Sequence, residues 1–204
     1  MPLDRVRIRQ GANLPHWETE GGIYSVTFRL SDSLPQQAID SIIRERDTMK
    51  DALKKPARNL TCDEKRELHR LYSEKVDSFL NAGHGSCCLQ NDAIAQIVAN
   101  ALQFFGNDRY ELHAWCIMPN HMHVIVEPLE EHAVADIVHT WKSFTALRAN
   151  KALGRSGAFW QTEYFDHIIR NEQELMRNID YVWDNPDQAG LHDWKWRWKR
   201  EEPL

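Results

Sequence analysis

An α+β sandwich of ferredoxin-like type, with a mainly antiparallel sheet and helices on one face, is the fold class that this sequence predicts. Three observations predict it. The elements run in the order strand, helices, strand, strand, helix, strand, helix. Two β-branched apolar runs, Tyr110 to Met118 and His121 to Glu127, are separated only by Pro119-Asn120, a connection short enough to require antiparallel pairing. Finally, no repeat, low-complexity tract or linker divides the 204 residues, so one domain spanning 1–204 is expected.

Each element has its own signal. Gly21 to Leu30 alternates apolar and small polar residues behind a glycine pair, which reads as a first strand. Pro35 opens charged sequence with helical spacing, Ile39, Ile42 and Ile43, then Leu68, Leu71 and Tyr72, and this predicts a helical insertion at about 36–81. Asp92 is placed to cap a helix carrying Ile94, Ile97, Val98, Ala101 and Leu102 on one stripe, ended by Gly106-Asn107-Asp108. After the strand pair comes a helix from about Ala133 to Leu153, broken by Gly154-Arg155-Ser156-Gly157. A short strand follows at about Phe165 to Arg170, and a last helix at about Glu172 to Asp184, which Pro186 and Gly190 should stop. The end of the chain, 192–204, is a basic-aromatic tail in which Trp194, Trp196 and Trp198 alternate with Lys195, Arg197 and Lys199. If extended, it shows indoles on one face and cations on the other. Packed indoles with solvated cations, or a nucleic-acid surface, both fit that pattern.

Composition narrows the function. A hydrophobic fraction of 42% is ordinary for a globular chain; no run reaches a membrane span, and the charged start lacks the apolar core of a secretion signal, so a cytoplasmic protein without a membrane partner is expected. Cys62, Cys87, Cys88 and Cys116 form no C-x-x-C pair, which argues for reduced thiols and against a zinc ribbon; His84 beside Cys87 and Cys88 reads as a loop turn rather than a metal site. A formal charge of −5 opposes a broad nucleic-acid footprint but leaves room for local basic patches.

The chemistry concentrates in Met118-Pro119-Asn120-His121-Met122-His123. Alternate side chains of a strand share a face, so His121 and His123 point the same way while Met122 enters the opposite layer. Two neutral imidazoles side by side suit a divalent ion, and such a pair can equally cap a core edge. On the last helix Tyr181 and Asn185 are four residues apart and so lie one turn apart on one face, a nucleophile and an oxygen donor. Because Asn185 precedes Pro186, its helical geometry should be distorted.

These residues resemble a known family. His121-Met122-His123 matches the His-hydrophobe-His signature of the HUH single-strand endonucleases, and Tyr181 with Asn185 matches the tyrosine and i+4 amide of single-tyrosine transposases. Gly22 to Phe28, His113-Ala114-Trp115, Met118 to His121, Trp141 to Ala146, Phe159-Trp160-Gln161, Tyr164 to His167 and Asn185 to Leu191 are similar, in order, to landmarks of the REP-associated tyrosine transposases of IS200-like type. The resemblance implies cleavage and rejoining of single-stranded DNA beside a palindromic hairpin through a 5′-phosphotyrosine. It further implies Mg²⁺ or Mn²⁺ held by His121, His123 and Asn185, with Tyr181 attacking the phosphorus, and it leaves monomer or homodimer open. Lys142, Arg148, Arg170, Lys195, Arg197 and Lys199 are the candidate DNA contacts.

Tyr164 is the rival nucleophile, disfavoured because it sits in the aromatic run Tyr164-Phe165 and lacks an i+4 amide. Two other functions compete: a protein of the same fold that binds structured DNA without cutting it, and a metal-dependent phosphoesterase using water. The intact His121, His123, Tyr181 set weighs against the first, and the want of a carboxylate cluster for a second metal weighs against the other.

Overall fold

The computed structural model describes residues 7–10, 15–19, 21–34, 44, 61 and 76–201. The chain forms two compact units, one made of residues 1–31 and 87–204, the other of 32–86. Most of the insertion expected at 36–81 lies outside the described residues; of that stretch, 76–81 is helical.

The larger unit is built on β3 (Ile23–Arg29), β4 (Tyr110–Ile117), β5 (His121–Pro128), β6 (Phe165–Ile169) and β7 (Arg197–Lys199), preceded by a two-stranded ribbon of β1 (Arg7–Gln10) and β2 (Pro15–Glu18). Its helices are α1 (Asp92–Phe104), α2 (Val134–Ala152) and α3 (Glu172–Gln188). The sheet order is β6-β3-β5-β4-β7 and every neighbouring pair is antiparallel, so the predicted α+β class with an antiparallel sheet holds. The β4–β5 turn closes as expected, with Met118 N–H donating to the His121 carbonyl at 2.8 Å across Pro119-Asn120.

Strand pleating sorts the side chains into two layers. Phe28, Met122, Val124, Val126, Trp115 and Ile117 join α1 and α2 in one buried cluster; Ile23, Ile125, Ala114 and Cys116 join Leu175, Ile179 and Val182 of α3 in another. The expectation of helices on one face therefore needs correction. The two crossover helices share a face, and α3 covers the other. Over its buried stretch, 121–126, β5 is apolar in both parities except at His121 and His123.

Two local signals read from the sequence also differ from what forms. Asn91, not Asp92, caps α1, its side chain accepting from Ala93 N–H at 2.9 Å, because the cap must sit outside the first helical residue. Asp92 accepts instead from Lys195 and from the Trp196 indole. More consequentially, α3 runs through Pro186 to Gln188 rather than stopping near Asp184. Proline removes only the amide that would bond the Val182 carbonyl, and this falls in the last turn; the closing carbonyls of Asn185 and Pro186 accept from the amides of Ala189 and Leu191, at 3.1 and 2.8 Å, and that of Trp183 accepts from Arg197 at 2.9 Å.

The tail is the fifth strand of the sheet. β7 pairs with β4 in the register Trp115 to Trp198, and the expected alternation holds: Trp194 and Trp196 pack on the α1 side, while Arg197 and Lys199 lie over the Trp183 ring of α3. No helix among the described residues is long and apolar enough to cross a membrane.

The α1–α2 core is held partly by a polar pair. Tyr110 Oη donates to the Leu102 carbonyl at 2.8 Å and accepts from Trp141 Nε1 at 2.9 Å, with the two rings edge to face. Tyr110→Phe would strand the buried Trp141 donor and is expected to cost about 1–3 kcal/mol in urea denaturation. A change within about 0.5 kcal/mol would contradict that account of the core.

Candidate active site

The site grows from the pleat of β5. Its register against β3 sets His123 opposite Thr27 and His121 opposite Arg29, and against β4 sets His123 opposite Cys116. Both histidines are buried, so each ring nitrogen needs a partner. His121 Nδ1 meets Asn120 Oδ1 at 2.7 Å and His123 Nδ1 meets Thr27 Oγ1 at 2.7 Å, leaving the two Nε2 atoms 3.1 Å apart. An amide oxygen only accepts, so the His121 proton sits on Nδ1 and its Nε2 offers a lone pair. The Thr27 hydroxyl can donate or accept, which lets His123 carry its proton on either nitrogen. In one tautomer His123 Nε2–H donates to His121; in the other both lone pairs converge.

The third element is α3. The Tyr181 ring packs on the His123 ring, centroids 5.5 Å apart and planes at 77°. Asn185, one turn on, is fully buried and neither its Oδ1 nor its Nδ2 has a hydrogen-bond partner. An unpaired buried amide costs on the order of 1–3 kcal/mol, so it calls for a ligand. The donor set fits a divalent ion: two ligands at right angles with bonds of about 2.1 Å lie about 3 Å apart, close to the Nε2 separation here. Among the described residues no three His, Cys, Asp or Glu side chains form a metal cluster, so any ion held here draws on the two imidazoles and an amide. The helix's passage through Pro186 is what keeps Asn185 in helical register with Tyr181.

Burial and the neighbouring His123 push the His121 imidazole well below its usual value, so it stays neutral at physiological pH, as a metal ligand must.

The other candidates are spread around this centre. Tyr164 lies in the opposite layer, its ring 4.5 Å from that of His16, which in turn pairs with buried Asp166. Lys142 donates to the carbonyls of Gln161 and Thr162 at 2.7 and 2.6 Å, and burial lowers its ammonium to about 8, so it stays charged at neutrality. Arg148 is exposed over Phe144, Arg170 is 4.0 Å from Glu174, and Lys195 pairs with Asp92. Arg197 pairs with Asp187. Sequence reasoning misses Thr27, Asn120 and Arg29. The polar parity of β3, Ser25-Thr27-Arg29, is the available signal, but without the pairing of β3 to β5 it points nowhere.

Comparison with known proteins agrees with the motifs. The family model described as "Transposase IS200 like" matches residues 88–185, from just before α1 to Asn185. A REP-associated tyrosine transposase of Escherichia coli (strain K12) is 30% identical over 108 residues, 48% of this chain and 61% of that protein. The chain spans about three fifths of the length of the curated relatives it matches. A solved REP-associated tyrosine transposase, bound to a REP hairpin, shares the fold at TM-score 0.55 and 18% identity, covering 92% of this chain and 82% of that one. The resemblance read from the motifs is borne out in sequence and in fold.

The neutral His121 has a measurable consequence. Below about 6.5 the unfolded chain binds a proton there that the folded one refuses, so stability is full above that pH and falls as pH drops, by at most about 1.4 kcal/mol per unit. Denaturation in EDTA at pH 8, 6.5 and 5 should show a shallower loss for His121→Asn than for wild type. Parallel losses would place the titration elsewhere.

Proposed function

We propose that this chain, whose residues 88–185 match the IS200-like transposase family, is a metal-dependent single-stranded DNA endonuclease and strand transferase that acts at palindromic, REP-like hairpins. The observation that carries the proposal is the packing of Tyr181 on His123, with the His121 and His123 nitrogens 3.1 Å apart and an unpaired amide one turn along the tyrosine helix.

Tyr181 Oη attacks the scissile phosphorus, the bond from phosphorus to the 3′ oxygen breaks, and the leaving oxygen takes up a proton as a 3′-hydroxyl while the phenol gives up its own. The product is a 5′-phosphotyrosine. Because the phosphodiester energy is retained in that linkage, a 3′-hydroxyl of the same or another strand can reverse the step and reseal DNA without ATP. Water would lose that option. His121, His123 and Asn185 would hold Mg²⁺ or Mn²⁺, and a bound ion would supply polarisation of the phosphate and neutralisation of charge on its oxygens. Asn120 and Thr27 fix the imidazole orientations beside Tyr181.

The DNA runs over the α3 side of the sheet. Arg29 shares that face with His121, and Lys199 lies over the ring of Trp183 on the tyrosine helix, so cations stand at both ends of this layer. Lys142, Arg148, Arg170 and Lys195 supply more distant phosphate contacts. Such a protein works in the cytoplasm, where single-stranded host DNA is exposed.

The test uses hairpin oligonucleotides drawn from the host genome, scored for a covalent adduct by denaturing gel. Wild type should form the adduct with Mg²⁺ or Mn²⁺ and lose it in EDTA, while Tyr181→Phe should bind the hairpin but form none, a loss of at least about 10³-fold. Adduct persisting in Tyr181→Phe would reassign the nucleophile. Hairpin binding with no adduct from wild type would favour the non-catalytic DNA-binding reading.

A further inference from the structure

A cavity of about 350 Å³ opens on the other face of the sheet from the histidine pair, between the end of α1 and the edge strand β7. Trp115 and Trp198, directly paired across β4 and β7, line it together with Gln103, Asn107 and Arg200. Trp198 is 36% exposed where it lines the opening, whereas Trp196, two residues before it, is buried in the core. At the rim, Gln103 and Asn107 are exposed and their side-chain amides make no hydrogen bond among the described residues; Asn107 is held there by a left-handed backbone, φ 64°. The cation of the lining, Arg200, is already paired with Glu111 at 2.6 Å. An aromatic wall, two amides that each present a donor and an acceptor, and a neutralised guanidinium are poor equipment for a phosphate. They suit a flat heteroaromatic group with a hydrogen-bonding edge.

The path to the cavity crosses β7. On the α3 side of that strand Arg197 and Lys199 present their cations over Trp183; on the other side Trp198 presents its ring. A single strand leaving the tyrosine site over this edge would meet the Lys199 ammonium first and a stacking surface next.

We infer that this cavity takes one unpaired nucleobase of the bound DNA, stacked on Trp198 and read along its edge by Gln103 and Asn107. The inference rests on the reading of the chain as a hairpin-DNA-binding protein. The pocket gives that protein a base-specific contact remote from the cleavage chemistry, so recognition and cutting are separable.

The experiment measures, by fluorescence anisotropy in EDTA, binding of the full chain to host hairpins with short single-stranded flanks in which each unpaired nucleotide is made abasic in turn. One position should weaken wild-type binding about tenfold when its base is removed. In Trp198→Ala the same removal should cost nothing further, and in Trp198→Phe, which keeps a stacking ring, the sensitivity should return. The exposed pair Gln103→Ala/Asn107→Gly, in which glycine keeps the left-handed backbone at 107, should keep binding within about threefold yet lose its preference among the four bases at that position. No sensitive position in wild type, or an equal abasic penalty in wild type and Trp198→Ala, would overturn the pocket while leaving hairpin binding intact. Wild type that binds no hairpin at all would instead overturn the DNA reading, and the inference with it.

Discussion

Everything at the candidate site depends on the pleat of one central strand. β5 is hydrogen-bonded on both edges and covered on both faces, a place where apolar side chains are expected in either parity. Two imidazoles occupy one parity for three residues. Burying them without partners would cost several kcal/mol in lost hydration. Asn120 and Thr27 settle one nitrogen of each ring, and the remaining nitrogens are turned on one another. A slip of one residue in the β3–β5 register would send both histidines into the α1–α2 core and Met122 to the tyrosine, so the pairing of Thr27 with His123 is as much a part of the site as the histidines.

The second constraint is the course of α3. A helix that ended before Pro186 would leave Asn185 free to leave the face that carries Tyr181. Carbonyls near the proline are instead served by Ala189, Leu191 and Arg197, so one continuous element presents both side chains to the same layer. Arg197 thereby links the edge strand to the tyrosine helix. The tail is structural through Trp194 and Trp196, and Arg197 and Lys199 lie over Trp183 of α3 because the indoles hold the strand in place.

Much of this architecture is legible in the amino-acid sequence. The period-2 run around His121, the two-residue turn at Pro119-Asn120 and the i+4 spacing of Tyr181 and Asn185 are local signals, and local signals survive folding. The element order leads to the sheet as well. What cannot be read is anything that needs a partner distant in sequence. Thr27 is 96 residues from the imidazole it orients, and Trp198 meets Trp115 only after the tail has paired with β4. The layer occupied by α3 is hidden for the same reason, since its apolar stripe, Leu175, Ile179 and Val182, says that it packs but not on which face. Pro186 misleads because it falls in the last turn of α3, where the loss of one amide leaves the rest of the helix bonded.

The central claim is that the histidine pair and the buried amide form one cation site against Tyr181. Anomalous diffraction from crystals grown with Mn²⁺ addresses it most directly. The account predicts a single strong peak bonded to Nε2 of His121, Nε2 of His123 and Oδ1 of Asn185, with Tyr181 beside it. A peak elsewhere, or the two Nε2 atoms still hydrogen-bonded to each other at saturating Mn²⁺ with Asn185 unengaged, would contradict it.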